Sequence, residues 1–391
     1  MYSLSLEHLQ ERPHQRLASQ YARGLISEAL GGAGRKKIVL VVGNAIHARP
    51  KTREADGEKG GLYGNEFIRK DKLVRTLREI GAGASGHGSI KLNEYRALWL
   101  YHESLRLLSS SKLPRPALTY LYYLLMRDMV DLVITSNYDL FLESISQKVE
   151  PPKICFALNP VGKTTRPDAH DGYGEQPSGS HIILAKYHGD VGHVLFLDGC
   201  RCLFRLPLDP ALPHTTVMHS LEQVLKACQK DDDDELLLQL RRRHGHLRGK
   251  AEPYHFIDYN FPKVPRDKLF SYEIKAVERW IAKLSPSNTA GFLIVGFAGR
   301  WVSGRDRMSE EIVWPLVEKA REGIPATMIF LPKDESEFRD STLARELFKV
   351  NPYQLWIGDV ITHLDELFWS FRELRPGLLM RQGWKHSGLF L

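Results

Sequence analysis

The chain has 391 residues, 43% of them hydrophobic and 26% charged, the proportions of a folded globular protein. At about 150 residues per domain, that length allows two or three domains or one large domain with insertions, with a core that needs no disulfides or structural metal. The four cysteines form no Cys-x-x-Cys pair, no apolar run reaches the ~18 residues of a membrane span, and the net charge of +7 is a small excess that suits an anionic small molecule and does not demand nucleic acid.

Residues 5–30 carry the period of an amphipathic helix, stopped by Gly31-Gly32-Ala33-Gly34. Glu7, Glu11 and Glu28 argue against a transit peptide, and the segment has no signal-peptide core, so a cytoplasmic protein is expected. Lys37 to Gly43 is a continuous β-branched run, as in a strand buried on both faces. After a polar, Gly-rich stretch from His47 to Asn65, helical periods run over 66–79, 92–108 and 116–129. A second buried strand, Asp131 to Thr135, flows into Ser136-Asn137-Tyr138-Asp139. Further strands are expected at 153–158, 181–187 and 193–197.

From Asp198 to about Val264 no clean period exists beyond a helix near Leu221, and the stretch reads as an irregular insertion. Regular alternation then resumes: helix 269–284, strand 292–297, helix 309–322, strand 326–331, helix 342–350, strand 354–357 and helix 362–371. Buried strands alternating with helices predict an α/β fold, a doubly wound, mostly parallel Rossmann-like sheet with helical insertions. The expected organisation is a helical arm over 1–35, one domain over 36–375 with insertions at about 60–130 and 198–264, and a tail over 376–391.

Three strings fail as ligand signatures. Ala157 to Thr164 resembles a relaxed phosphate loop, but Arg166-Pro167 and Asp171 to Gly174 forbid the helix such a loop must open. Gly31 to Gly34 precedes a strand and so is a linker. Between Asp231 and Lys250, five acidic residues oppose five basic ones, a self-neutralising solvated helix in preference to a nucleic-acid groove.

Three strand-end motifs survive. Val41-Val42-Gly43-Asn44-Ala45 is a tight turn whose small residues let backbone amides approach a phosphate. Thr135-Ser136-Asn137-Tyr138-Asp139 and Lys186-Tyr187-His188-Gly189-Asp190 place polar side chains just past buried strands. Ligands of a doubly wound sheet bind at its carboxyl edge, where all three motifs are expected. Each also has a plain reading: Asn137 and Asp139 as caps of a helix near Leu140, His188 as a packing or surface residue.

The second and third motifs resemble the Thr-x-Asn-Tyr-Asp and Lys-Leu-His-Gly signatures of the divergent branch of the sirtuin-like NAD-binding domain family. Ile294 to Arg300 resembles that family's Val-Gly-Tyr-Ser strand end, and Ile357-Gly358-Asp359-Val360 its closing turn. The resemblance spans residues 36 to 372 in order. It departs from the family at Gly43-Asn44-Ala45 in place of Gly-Ala-Gly, and at Ala298 in place of a phosphate-contacting Ser. The four-cysteine zinc module of protein-deacylating sirtuins is absent, so no metal is expected and an acyl-peptide substrate is disfavoured.

The resemblance implies cleavage of the nicotinamide–ribose bond of NAD, with NAD as substrate. It assigns Asn137 to the water and ribose hydroxyls, Asp139 to the carboxamide, and His188 to the base. Gly43, Asn44 and Ala45 would cradle the diphosphate, Gly296 and Phe297 would lie near it, and Gly358, Asp359 and Val360 would border the adenosine. It further implies an NAD-depleting effector of bacterial antiphage defence, licensed by homo-oligomerisation or by a HerA-like ring ATPase or helicase partner, and so linked to nucleic acid only indirectly. The alternatives are a non-catalytic NAD- or nucleotide-binding regulatory module and an NAD-dependent protein deacylase. The apolar tail Leu378 to Leu391 fits either a contact surface or a segment packed on its own domain.

Overall fold

The apolar runs of the sequence become the strands of one sheet. The computed structural model describes residues 5–31, 36–43, 46, 101, 116–137, 139–142, 154–156, 182–186, 189–197, 202–205, 252–257, 277–297, 299, 307–332 and 334–371. The candidate helices over 66–79 and 92–108, the Asp231 to Lys250 stretch and the tail beyond 376 lie outside these residues, apart from Tyr101.

Seven strands pair in parallel: β1 (Lys37–Val42), β2 (Val130–Thr135), β3 (Ile154–Phe156), β4 (Ile182–Lys186), β8 (Thr289–Val295), β9 (Ala326–Phe330) and β10 (Leu355–Ile357). Their spatial order is β10-β9-β8-β1-β2-β4-β3. Strand alternation sends neighbouring residues into two different cores, as a sheet covered on both faces requires. Val39, Val41, Phe292 and Ile294 enter one core; Ile38, Leu40, Val42, Leu293 and Val295 enter the other. The sheet is therefore doubly wound, as the sequence predicts.

The second core is closed by α2 (Arg12–Leu30), α3 (Pro116–Met126) and α7 (Val360–Trp369); α2 contributes Ala18, Ala22, Leu25, Ile26 and Ala29, a single helical stripe. The first core is closed by residues 277–282 and by α4 (Arg307–Arg321), α5 (Glu335–Asp340) and α6 (Thr342–Val350). Side-chain caps set the starts of α5, α6 and α7: Asp334, Ser341 and Asp359 accept the amides of Glu337, Ala344 and Thr362 at 2.8, 3.1 and 2.9 Å.

Two expectations need correction. The N-terminal arm is two helices, α1 (Leu6–Gln10) and α2, with Glu11 extended between them. Pro13 has no amide to offer the Leu9 carbonyl, and the Gln15 side-chain amide donates to it instead. The stretch from 198 to 264, read as irregular, supplies β6 (Cys202–Arg205) and β7 (Glu252–Ile257). They flank β5 (Gly189–Leu197) in a separate three-stranded antiparallel sheet, ordered β6-β5-β7.

Strand β10 closes one end of the large sheet, and its outer edge is covered and buried. Its alternate carbonyls are met by imidazoles from two helices: His14 Nε2 lies 3.1 Å from Leu355 O and His363 Nε2 lies 3.1 Å from Ile357 O. His363 also stacks on Trp356, with ring centroids 4.3 Å apart.

Candidate functional site

The strand order reverses between β1 and β8. The chain leaves β1 toward β2 on one side and leaves β8 toward β9 on the other, which opens a crevice at the carboxyl ends of these two strands. Gly43 follows β1 at that point, and its amide donates to Val295 O at 2.9 Å, extending the ladder one residue past the strand. A side chain has no room there. The carbonyl carbon of Gly296 stands 2.7 Å from where a Cβ would sit, with its oxygen and the Phe297 Cα nearer still. Gly296 itself turns the chain with φ 62°, a conformation that disfavours other residues.

On the other flank of β1, the turn after β2 is fastened to the same place. Thr135 Oγ1 donates to Val42 O at 2.8 Å and accepts the Asn137 amide at 3.0 Å. Asn137 Nδ2 then donates to Gly43 O at 3.2 Å. Asp139 accepts the Phe141 amide at 3.0 Å, so it does cap the segment that follows. Both Asn137 and Asp139 are buried, as is Lys186 at the end of β4, whose ammonium donates to the Asp139 backbone carbonyl. Polar groups this deep are held in one orientation, which suits a preformed site.

Asn44, Ala45 and His188 lie outside the described residues; Lys186, closing β4, and Gly189, opening β5, stand on either side of the His188 position. Of the remaining candidates, Gly43, Asn137, Gly296 and Phe297 come together at the switch point, and Asp139 belongs to the same turn as Asn137. Phe297 is buried in the first core, so its side chain is a packing element. Gly358, Asp359 and Val360 share the carboxyl edge but follow β10, two strands beyond β8. There Asp359 caps α7, Val360 packs into the second core, and Gly358 lies against the His363 ring. Burial holds the His363 pKa below its ordinary value, against the pull of its bond to Ile357 O and of Glu366 and Asp359.

No protein-family model matches the sequence, and no curated protein matches it. Among solved structures that it resembles is a mutant Sir2 homologue in complex with ADP ribose, at 11% identity and a TM-score of 0.34, covering 91% of this chain and 96% of that one.

Three contributors were not singled out from the sequence. Thr135 and Lys186 stand inside quoted motifs, and the signal for Lys186 was a lysine closing the apolar run Ile182 to Ala185. Periodicity gives the face a residue occupies and not its depth. His363, three residues beyond the closing turn, carried no signal of its own. Among the described residues no group of three or more His, Cys, Asp or Glu is placed to hold a metal.

Proposed function

We propose that this chain is an NAD glycohydrolase. The observation that carries the reading is the Asn137–Gly43 hydrogen bond at the β1/β8 switch point. It joins two strand-end turns far apart in sequence, one suited to a phosphate and one matching an NAD-binding signature, at the position where a doubly wound sheet receives a dinucleotide.

Cleavage breaks the bond between nicotinamide nitrogen and ribose C1′. Nicotinamide leaves with the bonding pair as a neutral molecule, so no general acid is needed, and the ribose passes through an oxocarbenium-like state as in glycoside hydrolysis. Water adds at C1′, yielding ADP-ribose and a proton. Asn137 holds the water and ribose hydroxyls, Asp139 orients the carboxamide, and His188 takes the proton. The Gly43 to Ala45 turn and Gly296 serve the diphosphate, and the turn at Gly358 and Asp359 serves the adenosine. The motif resemblance extends this reading to a regulated NAD-depleting effector of antiphage defence, acting as a homo-oligomer or beside a HerA-like ATPase.

A second reading is favoured by one observation. Both Asn137 and Asp139 spend side-chain bonds on the protein itself, on Gly43 O and the Phe141 amide, as they would in a binding module without turnover. Incubating the full chain with NAD and following nicotinamide by chromatography separates the two. Catalytic release supports the enzyme; NAD binding without release supports the module.

A further inference from the structure

Lys186 is a charged residue where charge is costly. It closes β4, is 2% exposed, and its ammonium must exchange hydration for protein partners. Strand geometry alone asks for nothing of the kind. Alternation places position 186 on the face of Ile182 and Leu184, which belong to the second core, and an aliphatic residue there would continue that face. The lysine instead crosses to the neighbouring strand. Thr135 is its register partner, and beyond it the Lys186 ammonium donates to the Asp139 carbonyl in the turn that follows β2.

That turn is also held by Thr135 Oγ1 at the Asn137 amide, by the Gly43 carbonyl at the Asn137 side chain, and by Asp139 Oδ1 at the Phe141 amide. These ties come from the turn itself, its own strand and β1. The Lys186 bond comes from β4, which leads within two residues to His188. The geometry points to Lys186 as a positioning residue: its buried ammonium locks the Asn137–Asp139 turn to the end of β4 and so fixes where Asn137 and Asp139 stand relative to that strand end. The role of the turn in NAD cleavage rests on the proposed function; the lock itself does not.

The test uses the full chain with Lys186→Met, which keeps the aliphatic stem and removes charge and donors. Lys186→Gln serves as a second variant should the first not fold. Hydrogen exchange reads the lock directly. The Asn137 and Phe141 amides should lose protection in the variant while β1 and β8 keep theirs. Nicotinamide release reads its consequence: kcat should fall ~10²-fold with KM within about two-fold, because a displaced reacting group costs rate more than binding. Wild-type protection at Asn137 and Phe141, together with wild-type kcat, in either folded variant overturns the role, and so does a uniform loss of protection across the sheet. If the wild-type chain itself releases no nicotinamide, the enzyme reading fails, and the exchange result still decides for or against the lock.

Discussion

Replacing Gly43 by Ala tests the switch-point geometry with a single methyl group. The atoms that group meets are backbone atoms of Gly296 and Phe297, with the Gly296 carbonyl carbon 2.7 Å away and the Phe297 Cα nearer still, against an ordinary contact of about 3.5–4 Å. No rotamer change relieves this. The tips of β1 and β8 must part by roughly an ångström or more, and that stretches the 2.9 Å bond from the Gly43 amide to Val295 O beyond useful length. Overpacking costs about 1–3 kcal/mol and the lost hydrogen bond about 1 kcal/mol, so destabilisation of roughly 2–4 kcal/mol is expected. Gly24→Ala is the matched control: this glycine lies in the middle of α2 with nothing within 4 Å of a Cβ, so alanine should stabilise by about 0.5–1 kcal/mol. Urea unfolding followed by tryptophan fluorescence should move the two midpoints in opposite directions. A Gly43→Ala chain as stable as the wild type would refute the close crossing of β1 and β8.

Acid should weaken the fold through β10. Burial, the largest influence on each, holds His14 and His363 below the ordinary histidine pKa, so the unfolded chain takes up protons first as pH falls. Their contribution is therefore intact above about pH 6.5 and lost progressively below it, and thermal melts from pH 7.5 to 5 should show a decline that His14→Gln/His363→Gln flattens. Ser341→Ala removes the buried cap of α6 and should cost about 1–2 kcal/mol in the same urea assay without changing NAD binding. Asp139→Asn keeps the side-chain acceptor for the Phe141 amide while removing the negative charge, so it should keep the fold and lower nicotinamide release at least ~10-fold.

Strand β1 and helix α6 were legible because each writes its own signature: Lys37 to Val42 falls where β-branched continuity puts a buried parallel strand, and Thr342 to Val350 where the helical period puts a helix. The break at Glu11 was hidden because the apolar stripe runs through it, and only the missing amide of Pro13 betrays it. Strands β6 and β7 lie among charged and irregular sequence, and their pairing with β5 comes from distant backbone bonds that no local pattern encodes. Helix α7 starts two residues earlier than its period suggests because Asp359 acts as its cap. At the candidate site, residue types and order were readable, but depth was not. Lys186 and Thr135 are bound into the turn beneath Asn137, whereas Phe297 and Val360 turn out to be core residues.

The central claim is chemical, and one measurement meets it most directly: nicotinamide released from NAD by the full chain, alone and under assembly-promoting conditions, beside Asn137→Ala and His188→Ala. The account predicts catalytic release by the wild type that falls by ~10²-fold or more in both variants while their far-ultraviolet circular dichroism is unchanged. Equal release by all three chains, or NAD binding with no release by any of them, would contradict it.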